Sequence, residues 1–164
     1  MNFDTEEVPV QALKTIIMIS TKIRKVILDG DIATANLYLN EPYTLTGTVI
    51  QGKKLGRQLG FPTANLHIAE VHKPIPKNGV YVVKSILNNQ EYFGMMNIGF
   101  RPTVGGTEKT VEVHFFDFKG NLYDKKIKIG ILHRLRKEYK FHSIEALQEQ
   151  LEKDRVHSLQ LIAT

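Results

Sequence analysis

Tyr43-Thr44-Leu45-Thr46-Gly47-Thr48-Val49 places Tyr43, Leu45, Gly47 and Val49 against three threonines. That period of two gives an extended chain one apolar and one polar face. β-Branched and aromatic residues dominate afterwards, and strands are expected over Gly79 to Leu87, Tyr92 to Ile98, Thr110 to Phe118 and Leu122 to Leu132. Asn88-Asn89 and Lys119-Gly120-Asn121 read as hairpin turns, so the strands they join should be antiparallel neighbours. Pro74 to Gly79 and Pro102 to Gly106 read as loops. Towards the C-terminus, Ser143 followed by Glu145 opens a helix with Ile144, Leu147, Leu151, Leu159 and Ile162 near one face. Upstream, a short helix starts near Ser20 or Thr21, carries Ile23, Ile27 and Leu28 on one face and stops at Gly30, and Ile32 to Leu39 adds further helical turns. Five or six strands with one long helix find cover by closing into a barrel, which removes exposed edges.

The bulk properties suit this outcome. The chain has 164 residues, enough for one domain with a real core, and its 42% hydrophobic and 24% charged residues exclude a wholly disordered chain. No apolar run approaches the roughly 20 residues that cross a bilayer, and acidic residues follow Met1 where a signal peptide would be basic. A cytoplasmic protein without membrane contact is expected, and the absence of cysteine excludes disulfides and thiolate metal sites. The net charge of +5 is concentrated in Lys53/Lys54/Arg57, Lys125/Lys126/Lys128 and His133/Arg134/Arg136/Lys137, clusters that serve an anionic ligand or are simply solvated faces.

The chemistry-bearing stretch is Gly52-Lys53-Lys54-Leu55-Gly56-Arg57-Gln58-Leu59-Gly60-Phe61-Pro62-Thr63-Ala64-Asn65. Three glycines let backbone approach an anion and turn through positive φ, while three cations supply charge. Pro62 fixes the backbone before Thr63. The Thr63 hydroxyl and the Asn65 amide oxygen are hard ligands two positions apart, so an extended segment presents both to one face, as a small divalent cation requires. The same four residues could instead form an Asx turn. A Walker loop is excluded because Gly-x-x-x-x-Gly-Lys-Ser/Thr is absent.

Gly56-Arg57-x-Leu59-Gly60-Phe61-Pro62-Thr63-Ala64-Asn65 resembles the signature of riboflavin kinases, which make FMN from riboflavin with ATP and a divalent cation. The resemblance continues through Asn97-Ile98-Gly99-Phe100-Arg101-Pro102-Thr103, Val111-Glu112-Val113-His114, Phe116-Asp117-Phe118 and Leu135 to Phe141. It implies a mainly β fold: a small closed antiparallel, Greek-key-like six-stranded barrel with a C-terminal α-helix and a short N-terminal helical segment. Residues 41–164 would be the kinase domain. Residues 1–40 would be an extension and helical linker, since Ile19 to Arg24 resembles the junction to the adenylyltransferase half of bifunctional bacterial FAD synthetases. No His-x-Gly-His-like motif is present, so adenylyl transfer is not expected.

The resemblance makes Glu112 the general base, although a strand glutamate can also sit idly on a wet face. Thr63 and Asn65 would hold magnesium; Gly52, Gly56, Arg57, Gly60 and Pro62 would shape the nucleotide site. Asn97 would serve the nucleotide side or merely finish its strand, and His114 would be a ligand or a packed or exposed strand histidine. Arg136, Tyr139 and Phe141 would contact the flavin, Phe141 alternatively anchoring the last helix. Asp124 departs from the family pattern, which usually has glycine there, so a left-handed turn is not required by the sequence. A monomer binding riboflavin, FMN, ATP and ADP but no nucleic acid is expected. Two rivals remain: a non-catalytic flavin sensor, and a basic barrel for single-stranded nucleic acid.

Overall fold

A computed structural model describes residues 20–51, 55–70 and 72–164. Helix α1 covers residues 20–28 and α2 covers Ile32–Leu39. The strands follow as β1 (Tyr43–Ile50), β2 (Ala64–His67), β3 (Gly79–Leu87), β4 (Gln90–Thr103), β5 (Gly106–Phe115) and β6 (Lys126–Arg136). A four-residue helix, α3 (Leu55–Gln58), precedes β2, and α4 (Ile144–Ile162) ends the chain. The strands close into an antiparallel barrel in the order β1-β2-β5-β4-β3-β6. Closure gives every described strand a neighbour on both sides over part of its length, as the strand count demanded.

The period of two does what it promised. Tyr43, Leu45, Gly47 and Val49 of β1 are buried while the intervening threonines are half-exposed. Leu66, Tyr81, Met96, Val113 and Ile129 join the first set from five other strands, so the interior is packed solid. The N-terminal helices belong to this core, contributing Ile27, Ile32 and Ala35. Asp31 caps α2 by accepting from the Thr34 N–H at 3.2 Å. Asn36 ties that helix to the barrel, donating to the Ile131 carbonyl at 2.9 Å and accepting from the Tyr43 N–H at 2.8 Å.

A second apolar cluster lies outside the barrel. Val80 and Met95 point outward from β3 and β4, meet Leu59, Phe61 and Phe116, and are covered by Leu147, Leu151 and Ile162 of α4. Ser143 starts α4 as expected, its hydroxyl accepting from the Ala146 N–H at 3.1 Å. Ile144 and Leu159, however, are exposed. The inward stripe instead runs Leu147, Leu151, Asp154, Ser158, Ile162, its apolar residues half-buried and Asp154 and Ser158 only 3% and 0% exposed.

One expectation about turns holds and others are corrected. Asn88-Asn89 is a hairpin turn, both residues having positive φ of the primed type. Lys119-Gly120-Asn121 is not, because β5 pairs with β2 and β4 while β6 pairs with β1 and β3. That segment crosses from one side of the barrel to the other, and Asp124, at φ +68°, takes the left-handed turn that delays β6 until Lys126. Pro102 lies within β4, whose hairpin with β5 turns only after Thr103. Proline is tolerated there because β4 has lost its β3 neighbour beyond Ile98. Finally, Leu55 to Gln58 forms a helical turn inside the stretch read as a loop, and β2 extends from its end.

Candidate active site

Strand register gathers the predicted residues into one line. Asn65 on β2 is paired with Glu112 on β5, Glu112 with Asn97 on β4, Asn97 with Val80 on β3, and Val80 with Arg136 on β6. Directly paired residues project to the same face, at roughly 4.8 Å per strand. Since Ala64, Leu66, Val111, Val113, Met96 and Ile98 pack inwards, this row faces outwards. Four residues separated by up to 71 positions thus form one polar rung on the barrel's outer wall, interrupted by the apolar Val80.

Thr63 sits two positions before Asn65 and so shares its face, with its Oγ1 3.5 Å from Glu112 Oε1. That separation is at the outer limit for a hydrogen bond. All four of Thr63, Asn65, Asn97 and Glu112 are half-buried. Among the described residues, no three or more His, Cys, Asp or Glu side chains gather as a metal site. The Thr63 hydroxyl and Asn65 amide beside the Glu112 carboxylate are the hard oxygen donors magnesium accepts.

His114, the next outward residue on β5, hydrogen-bonds through Nδ1 to the Pro62 carbonyl at 2.7 Å and packs edge-on against Phe61 and Phe116. A carbonyl accepts only, so Nδ1 carries the proton. Burial pushes His114 below the ordinary histidine range, the bond to Pro62 pulling the other way. These contacts make His114 a packed strand histidine.

Two glycines before this point have separate reasons. Gly56 accepts from the N–H groups of Leu59 and Phe61, at 3.1 and 2.7 Å, and a Cβ on it would collide with the Phe61 carbonyl. Gly60 has open space around it but φ of +84°, a left-handed turn glycine adopts without strain. Gly52, Lys53 and Lys54 lie outside the described residues.

Two clefts meet here. The larger, about 850 Å³, contains Thr63, Asn65, Asn97, Glu112, Arg136, Tyr139 and Phe141 along with Gly56, and has Val80, Met95, Leu147 and Leu151 as an apolar floor. The smaller, about 510 Å³, lies on the other side of Thr63 and Asn65 and is lined by Arg57, Pro62, Phe118 and Tyr123. A further groove of about 910 Å³ follows the exposed side of α4 past Gly60 and Phe61, but holds none of the row.

Arg136 is more constrained than its sequence position suggests. Its Nε and Nη2 donate to the Asp154 carboxylate at 3.0 and 2.8 Å, and the rings of Tyr139 and Phe141 lie 4.9 and 5.7 Å from the guanidinium carbon. Asp154 escaped the sequence reading although a signal was present: it is a charge set in the stripe Leu147, Leu151, Ile162, where an apolar residue is the rule.

A closed barrel with hard oxygen donors and a carboxylate between two outer clefts defines a small-molecule-binding barrel suited to charge-bearing ligands. The flavokinase family model, described as riboflavin kinase, matches residues 39–162, and the chain belongs to that family. It is 43% identical over 136 residues to a bifunctional riboflavin kinase/FMN adenylyltransferase of Haemophilus influenzae, covering 82% of this chain and 44% of that protein. It is 49% identical over 111 residues to the RNA-binding riboflavin kinase RibR of Bacillus subtilis, covering 67% and 47% respectively. The chain spans about half the length of these curated relatives. A solved riboflavin kinase from Trypanosoma brucei shares the fold, with a TM-score of 0.52 and 24% identity over 76% of this chain and 82% of that one. No helix among the described residues is long and apolar enough to cross a membrane.

Proposed function

We propose that this protein transfers the γ-phosphoryl group of ATP to the terminal ribityl hydroxyl of riboflavin, giving FMN and ADP. The observation that carries this reading is the meeting of two clefts at Thr63 and Asn65, with the Glu112 carboxylate at the junction. The larger cleft has the apolar floor and aromatic side chains that a flat ring requires, together with polar groups for its edges. The smaller has Arg57 for a polyphosphate. Residues 41–164 act as the kinase domain, and no adenylyl transfer is assigned to them.

Phosphoryl transfer calls for little covalent work from the protein, so positioning and charge dominate. Glu112 accepts the hydroxyl proton as the oxygen attacks, and the proton leaves to solvent after ADP departs. Asn65 and Thr63 would hold magnesium, which would supply positive charge to offset the negative charge on the phosphate oxygens. His114 fixes the Pro62 carbonyl and thereby the approach to Thr63. Asn97 stands beside Glu112 in the row and serves the nucleotide side.

The test is chromatographic detection of FMN from riboflavin, ATP and magnesium, with Glu112→Gln alongside. Loss of a general base costs about 10² to 10⁴ in turnover. Glu112→Gln should fall at least about a hundredfold while still quenching riboflavin fluorescence, and turnover within a few-fold of wild type would remove Glu112 from this role. Wild-type protein that binds riboflavin without forming FMN would instead be a flavin sensor.

A further inference from the structure

We infer that Asp154 is a positioning residue for the larger cleft: through Arg136 it sets the strap of residues 137–142, and hence the aromatic pair that meets the ligand. This rests on the reading that the cleft holds riboflavin. Asp154 occupies the inward stripe of α4 between Leu151 and Ser158 and is 3% exposed. A carboxylate there is no aid to packing, since an apolar side chain of similar volume commonly does as well or better than a buried ion pair. Its geometry points to orientation instead. The two oxygens take the Nε and Nη2 edge of Arg136 at 3.0 and 2.8 Å, a two-pronged contact that fixes the plane of the guanidinium as well as its place.

That plane organises the strap. Its Nη1 donates to the Lys137 carbonyl at 3.1 Å, and Tyr139 and Phe141 pack against it with their own rings 5.1 Å apart. A second tie comes from Gln150, one turn earlier on α4. Its amide nitrogen donates to Asp154 Oδ1 at 2.9 Å while its carbonyl oxygen accepts from the Tyr139 hydroxyl at 3.2 Å. Between the aromatics, Glu138 reaches over Gly99 of β4, where a Cβ would run into its carboxylate. The strap is thus held by α4 on one side and laid across the Asn97 strand on the other. Remove the charge of Asp154 and Arg136 loses the partner that defines its plane; the rings lose their platform.

The experiment compares wild type with Asp154→Asn, which keeps the shape and one acceptor oxygen. Hydrogen exchange is measured on ligand-free protein, and kinetics are measured with both substrates. A displaced recognition group costs roughly tenfold or more. The KM for riboflavin should rise about tenfold, kcat should fall far less, and the KM for ATP should move by under about twofold. In the same variant, amides of residues 137–142 should exchange about tenfold faster while β-strand protection holds. A purely structural role would lower the melting temperature without this split, and an unchanged riboflavin KM with unchanged strap exchange overturns the inference. Should Asp154→Asn fail to fold, Gln150→Leu cuts only the second tie; it should raise the riboflavin KM about threefold, and no change in it or in strap exchange again overturns the inference. If wild type binds no riboflavin, the functional reading falls on its own, and the exchange measurement still decides the role of Asp154.

Discussion

The inside of the barrel and its outer wall are made from the same strands yet obey different rules. On β5, Val111, Val113 and Phe115 face inwards to a packed core, while Glu112 and His114 between them face the cleft. Inside, neighbours are interchangeable in kind, since any apolar side chain of suitable volume sustains the core. Outside, Asn65, Glu112, Asn97 and Arg136 each stand in one register position, and a slip of one residue would bury them all. The interior therefore holds the register on which the outer row depends, and damage to the two should look different.

The sharpest way to break that contrast is Ile129→Ala, which removes three carbons from a fully buried position in the core of β6. Such truncations cost about 2 to 5 kcal/mol. Thermal unfolding should shift down by roughly 4 to 20 °C, while the protein that remains folded at low temperature keeps its KM values. Lost turnover without lost stability would mean that the core reaches the chemistry by another route. Gly56→Ala should fall between the two regions. Its new Cβ meets backbone, the Phe61 carbonyl, so the loop must shift, at about 1 to 3 kcal/mol. Because that shift moves the entry to Thr63, the KM for ATP should rise with the drop in melting temperature. A stability loss alone would show that Gly56 serves packing only.

How much of this was legible beforehand follows the same division. The barrel was, because alternation at Tyr43 to Val49 and the strand Gly79–Leu87 is decided by nearest neighbours and burial. Closure needed only the count of strands and the need to hide edges. The Lys119 to Asn121 segment misled because a glycine between polar residues looks alike in a hairpin and in a crossover, and only pairing two strands away distinguishes them. Of the site, the residue types were legible and their assembly was not: nothing local says that Asn97 and Asn65 flank Glu112. Asp154 was readable in principle, as a charge at the helix spacing that joins Leu151 to Ile162. Giving Ile144 and Leu159 to that stripe hid it.

His114 gives the smallest effect and the finest probe of the boundary between the regions. It projects outwards, yet packs between Phe61 and Phe116 as a core residue would. Burial lowers its pKa from about 6.5, and the positive charge of Arg155 nearby pushes in the same direction, whereas the unfolded chain keeps the ordinary value. Between those two pKa values the unfolded state binds the extra proton, so stability rises with pH there. The contribution is complete above about pH 6.5 and is lost as pH falls through the folded value. His114→Asn retains a donor for the Pro62 carbonyl but cannot titrate. Melting temperatures of the two proteins should therefore converge as pH drops from 7.5 to 5, by a few degrees at most, with the wild type losing more. Parallel curves would mean that His114 takes up its proton as readily in the folded protein, and that the outer wall is open to water where Phe61 and Phe116 are drawn as closing it.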